Sequence, residues 1–104
     1  MRAEDLTNPV VRAVVVAIRD SDRNAFFAAF ATSATLTDDG EMQHLRAWAD
    51  RELFRSHGRL DPEREGRDGL DVFGRFHSDR WDMETVWRFD VSDGLVHRLE
   101  VAAG

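Results

Sequence analysis

From Met83 to Val101 the chain reads METVWRFDVSDGLVHRLEV, and its alternation constrains the fold more than any other stretch. Met83, Thr85, Trp87, Phe89 and Val91 share one parity, while Glu84, Val86, Arg88 and Asp90 share the other. After Ser92-Asp93-Gly94 the pattern resumes, with Leu95, His97, Leu99 and Val101 set against Val96, Arg98 and Glu100. Successive side chains on a strand point to opposite faces, so period-two alternation on both sides of an Asp-Gly pair predicts a β-hairpin with one buried face. That face is long and carries a tryptophan. A second layer has to cover it.

The N-terminal third supplies that layer. Asn8-Pro9 reads as a helix start, because Asn caps well and Pro suits the first helical position, where no N–H is needed. Val10, Val11, Val14, Val15 and Ile18 follow at helical spacing, with Arg12 and Arg19 off the stripe. Asp20-Ser21-Asp22 ends this helix and caps a second, expected over 23–31 with Phe26, Phe27 and Phe30 inward. A short strand is expected at 34–37, closed by the turn Asp38-Asp39-Gly40. A third helix is expected over 41–55, with Met42, Leu45, Trp48, Ala49 and Leu53 on its buried stripe. Segment 59–65 contains Pro62, which suits only an edge strand. Gly66-Arg67-Asp68-Gly69 is a turn signal, and 70–77 reads as the next strand with a bulge near Phe73-Gly74. Helix, helix, strand, helix and then four strands make one α+β domain spanning residues 1–104.

Composition narrows the function classes. The net charge is -6 and all 14 basic residues are scattered arginines, so no basic face is available for phosphate and no nucleic-acid partner is expected. The chain has no cysteine, which excludes disulfides and thiolate chemistry. No apolar run approaches a membrane span, and Met1 to Leu6 lacks the apolar core of a signal peptide. These features lead to the expectation of a cytoplasmic protein with no membrane contact.

Several strings, in their order, resemble the nuclear transport factor 2-like superfamily, and within it the small SnoaL-like and ketosteroid-isomerase-like members. They are Phe26 to Thr37 (FFAAFATSATLT), Asp38-Asp39-Gly40, Leu45-Arg46-Ala47-Trp48-Ala49, Trp87-Arg88-Phe89 and Asp93-Gly94-Leu95-Val96. The resemblance implies a strongly curved, mostly antiparallel sheet wrapped around helices as a cone, with a pocket at its wide end. It also implies homodimers that pack sheet against sheet, and the outward parity of the final hairpin (Val86, Arg88, Val96, Arg98, Glu100) suits such an interface or a half-wet face. Superfamily members include isomerases, dehydratases, cyclases, hydrolases and non-catalytic modules, so the fold alone assigns no function. In the ketosteroid-isomerase pattern a base follows the strand after the second helix, and Asp38 stands there. The tyrosine of that pattern falls on Val14 and its oxyanion-binding acid on Thr85. The chain contains no tyrosine. The base position is therefore kept and the oxyanion hole is not, which argues against steroid isomerisation.

The candidate catalytic residues are Asp38 as general base and His97, on the inward parity of the last strand, as its partner across the pocket. Asp-Asp-Gly is equally an ordinary strand-ending turn, and His97 equally a sheet-margin residue bonded locally. Glu41 and His44 lie three apart, but no matching His pair supports a metal site, and neither metal nor cofactor is expected. Val14, Phe30, Trp48, Phe54, Thr85, Trp87 and Leu99 are expected to line an apolar pocket for a small hydrophobic molecule. Two readings remain. One is a ligand-binding protein or cofactor-independent isomerase, cyclase or hydrolase. The other is a non-catalytic homodimeric interaction module with a filled core. They differ in whether Asp38 faces a cavity or caps backbone N–H groups on the surface.

Overall fold

The computed structural model covers residues 1–104. Helix α1 spans Pro9–Arg19, and the Asn8 side chain accepts the N–H groups of Val10 and Val11. Val11, Val14, Val15, Ala17 and Ile18 form its buried stripe. A helix start leaves four N–H positions without an intrahelical partner; Pro9 removes one and the cap satisfies two more. Asn8→Ala is accordingly expected to cost about 1 kcal/mol, read as a lower urea midpoint at unchanged slope.

Helix α2 spans only Arg23–Ala28, capped by Asp22. The sequence reading extended it to residue 31, but Phe30 already begins strand β1, Phe30–Asp38. The carbonyl of Ala29 accepts the N–H of Val96, and Phe30 lies opposite Val96. Pairing with the final strand, through a run rich in β-branched threonine, outcompetes another helical turn. Strand β2, Glu41–Gln43, pairs with the end of β1 across Asp39-Gly40. The third helix therefore starts later than expected, at α3, Leu45–Ala49, and continues as a π-helical stretch over Asp50–Phe54. His44 is its cap, with Nδ1 accepting the N–H of Ala47. Glu41 lies on β2 and His44 caps α3, so the two do not stand together on the helix expected over 41–55.

Strand β3 spans Arg59–Gly66, β4 Asp71–His77, β5 Asp82–Ser92 and β6 Leu95–Ala103. The six strands form one curved, open sheet in the order β2-β1-β6-β5-β4-β3. Only the β1–β6 pairing is parallel. β3 is an edge strand, as Pro62 requires. The bulge expected near Phe73-Gly74 lies on the neighbouring strand instead: β4 alternates regularly and pairs with β5 without a shift, while the register of β3 slips between Pro62 and Arg64, leaving Glu63 as the extra residue opposite Gly74 and Phe73. The helices pack on one face of the sheet, where Phe26, Leu36, Val72, Trp87, Phe89, Val96 and Leu99 join the valines of α1 in a single core. The opposite face carries cross-strand ion pairs of Arg75 with Asp82 and Glu84, and a pair within β6 between Arg98 and Glu100. The hydrogen bond from Arg75 holds the Asp82 carboxyl below its usual range. No helix is long and apolar enough to cross a membrane.

Candidate functional site

A cavity of about 180 Å³ opens between one end of the sheet and α3. Strand β5 contributes Met83, Thr85 and Trp87 to its wall, all of one parity, and β4 contributes Phe76. Val101, Ala102 and Ala103 close it from β6. Trp48 of α3 and Glu52 of the π-helical stretch enter from the helix side. The end of β1 brings Asp38, the turn after it Asp39, and the loop before β5 brings Trp81. All three tryptophans of the chain thus line one cavity.

The polar groups in these walls are largely committed to one another. Trp87 Nε1 donates to Thr85 Oγ at 2.8 Å, and that hydroxyl donates onward to the carbonyl of Gly74 at 2.8 Å. Trp48 Nε1 donates to Asp38 Oδ2 at 2.9 Å. Trp81 Nε1 donates to Glu52 Oε1 at 2.9 Å, while Arg51 Nε and an Arg80 guanidinium N–H donate to Oε2 at 2.8 and 3.0 Å. Glu52 is only 8% exposed, and a carboxylate so buried is tolerable because these three donors and two positive charges compensate it. The two aspartates of the turn divide their tasks. Asp39 Oδ1 accepts the backbone N–H of Ala103 at 2.9 Å and ties the turn to β6. Asp38 lines the cavity and its second oxygen has no partner in the chain, and neither aspartate enters an ion pair.

Of the residues expected at a site, Asp38, Trp48, Thr85 and Trp87 meet at this cavity. The others do not. His97 is exposed, with Nε2 3.1 Å from the carbonyl of Ser92, and its expected inward position is corrected. Asp90 lies opposite Arg98 and Val91 opposite Val96, so His97 is the extra residue of a β-bulge. The bulge switches parity, burying Val96 on one side of it and Leu99 and Val101 on the other. Val14 and Leu99 are fully buried core residues away from the cavity walls. Phe54 packs edge-on against Phe26, and Phe30 borders a separate cleft of about 440 Å³ beside β1 and β2. Sequence reasoning missed Glu52 and Trp81. Glu52 stands four residues after Trp48, the same-face spacing of a helix, and Trp81 is a large aromatic in the polar loop Ser78 to Asp82.

No family model and no curated protein matches the sequence. Solved structures do. A proposed polyketide cyclase from Sinorhizobium meliloti is similar with a TM-score of 0.77 at 23% identity, over 97% of this chain and 99% of that one. An NTF2-like protein of unknown function from Cytophaga hutchinsonii is similar with a TM-score of 0.76 at 13% identity, over 94% and 89%. An LEH-like epoxide hydrolase from Mycobacterium tuberculosis gives a TM-score of 0.69 at 17% identity, over 91% and 80%. At such identities the likeness is one of fold, and it establishes the curved α+β cone that the sequence resemblance implies.

Proposed function

We propose that this chain, with its nuclear transport factor 2-like cone fold, binds a small and mainly apolar molecule in the cavity and contacts it through Asp38. The observation that carries this reading is the division between the two aspartates. Asp39 does the structural work of the turn, whereas Asp38, at the wall of an aromatic-lined space, keeps one carboxylate oxygen without a partner in the chain. A pocket that is mostly apolar, with one or two polar groups to orient its contents, is the usual form of a small-molecule site. Structures of the same fold include proteins described as a proposed polyketide cyclase and an epoxide hydrolase, which supports a small-molecule role.

Asp38 is also placed to accept a proton from a bound molecule. Any such reaction, whether isomerisation, cyclisation or hydrolysis, would run without an oxyanion hole. The indole N–H groups and the Thr85 hydroxyl are already used within the protein. A substrate would have to disperse its own developing charge.

Tryptophan fluorescence tests the reading directly, because every tryptophan reports from the cavity. Small aromatic alcohols, amines, carbonyl compounds, lactones and epoxides are titrated against wild type and Asp38→Asn, with melting temperature as a second readout. A true ligand at a hundred times its Kd is expected to stabilise the fold by about 2.7 kcal/mol and to do so less in the variant. If no compound moves either signal, the cavity reading fails and a domain acting through its sheet face replaces it.

A further inference from the structure

The hydrogen-bond state of the walls says what kind of polar group the cavity can receive; this step rests on the cavity being a binding site. The side-chain donors in the walls are the three indole N–H groups and the Thr85 hydroxyl. Each is spent: Trp48 on Asp38, Trp81 on Glu52, Trp87 on Thr85, and Thr85 on the Gly74 carbonyl. A ligand carbonyl, ether or carboxylate would enter and find no free side-chain donor, which leaves its desolvation poorly compensated. Acceptors remain available. Asp38 keeps one oxygen without a partner, and so does Asp39, whose other oxygen holds Ala103.

Charge points the same way. Arg51 and Arg80 neutralise Glu52, and neither arginine lines the cavity. Asp38 and Asp39 have no cationic partner, so this end of the cavity carries uncompensated negative charge. In the same walls stand aromatic rings: Trp48 and Trp87, with centroids 6.1 Å apart, and Phe76, also 6.1 Å from Trp87. Aromatic faces attract cations, most strongly where water is excluded. The chain's net charge of -6 adds a long-range field of the same sign.

We infer that the cavity selects a small organic ammonium ion, its N–H groups donating to Asp38 and Asp39 and its apolar part lying among Trp48, Phe76 and Trp87. The selected class is thus an amine, in preference to the carbonyl compounds, lactones and epoxides that an oxyanion-stabilising site would take.

Four probes sharing one ring test this: benzylammonium, benzyl alcohol, benzaldehyde and benzoate. Each is titrated by tryptophan fluorescence, with the three indole N–H signals in nitrogen-15 spectra as a check that binding is in the cavity. Benzylammonium is expected to bind about tenfold more tightly than benzyl alcohol, since hydrogen bonds between charged partners are roughly twice as strong as neutral ones. Benzaldehyde and benzoate follow in that order. The double variant Asp38→Asn, Asp39→Asn should abolish the preference for the cation and leave the alcohol nearly unchanged. Asparagine keeps an acceptor for Trp48 and Ala103, and it tolerates the positive φ of 49° at position 39. Should that variant fail to fold, the wild-type salt series decides: added sodium chloride weakens the cation and spares the alcohol. Tightest binding by benzaldehyde or benzoate, or a cation preference untouched by both the substitutions and salt, overturns the ammonium assignment and leaves the cavity reading standing. Silence from all four probes sinks both.

Discussion

Trp87→Ala will destabilise the domain by about 3–5 kcal/mol, a large share of the roughly 5–15 kcal/mol that holds a domain of this size folded. Trp87 is the largest of the fully buried side chains and is 1% exposed. Its ring meets Trp48 edge-on and Phe76 at a tilt, both at 6.1 Å between centroids. Truncation removes those contacts and leaves a void that the rigid centre of the sheet can close only in part. It also removes the donor that holds Thr85 in place. For a domain of about 100 residues the corresponding fall in melting temperature is about 15–30 °C. Urea melts followed by circular dichroism measure it, and Trp87→Phe, which keeps most of the ring volume, should lose less than half as much. A loss below about 1 kcal/mol for Trp87→Ala would mean that the residue is not a core element and that the cavity wall reorganises freely around it.

Gly74→Ala is the second large effect, expected at about 3 kcal/mol for the addition of one methyl group. A Cβ built on Gly74 would lie 2.4 Å from the carbonyl oxygen of Asp61 and 3.0 Å from the Cα of Pro62. Both atoms belong to the backbone of β3 and cannot swing aside as a side chain would. The strand has to move outward just where Pro62 offers no N–H to the ladder and where the register already slips before Arg64. The Gly74 carbonyl is also the acceptor that fixes Thr85, so the disturbance reaches the cavity wall. Gly94→Ala gives the contrast. Gly94 has open space around it and a φ of 76°, so alanine there suffers only the left-handed backbone penalty of about 1 kcal/mol. Equal losses at the two positions would show that β3 accommodates the methyl group.

The parts of the fold that were legible in the sequence are those written in local periodicity. The final hairpin turns at Asp93-Gly94, whose φ values of 54° and 76° are those that an Asp-Gly pair supplies. Asn8 caps α1 as its chemistry predicts. Asp39-Gly40 carries the same signal, with φ values of 49° and 83°, but the strand behind it is three residues long and too short to display alternation. Residues 41–43 were for that reason read as helix. His97 misled because a bulge shifts parity without altering the composition of a strand. Four cavity residues were found because they lie on well-patterned elements or on the superfamily's base position. Val14, Phe54 and Leu99 were misplaced because periodicity tells inward from outward, whereas core and cavity differ by position along the length of the cone. Glu52 was overlooked because its burial depends on Arg80 and Trp81, nearly thirty residues away.

The parallel pairing of β1 with β6 also bears on how the molecule is made. Thr35 faces Arg98 in that register, about 60 residues later in the chain. A ribosome adding about 5–20 residues per second would take about 3–12 seconds to produce the partner after finishing β1. Throughout that interval Leu36 and the valines of α1 lack the strand that buries them, and only the short β2 flanks β1. The entropy of closing so long a loop falls on the same late event, which places this fold among the slower small domains. Nascent chains stalled before Leu95 should therefore be the species most exposed to chaperone capture.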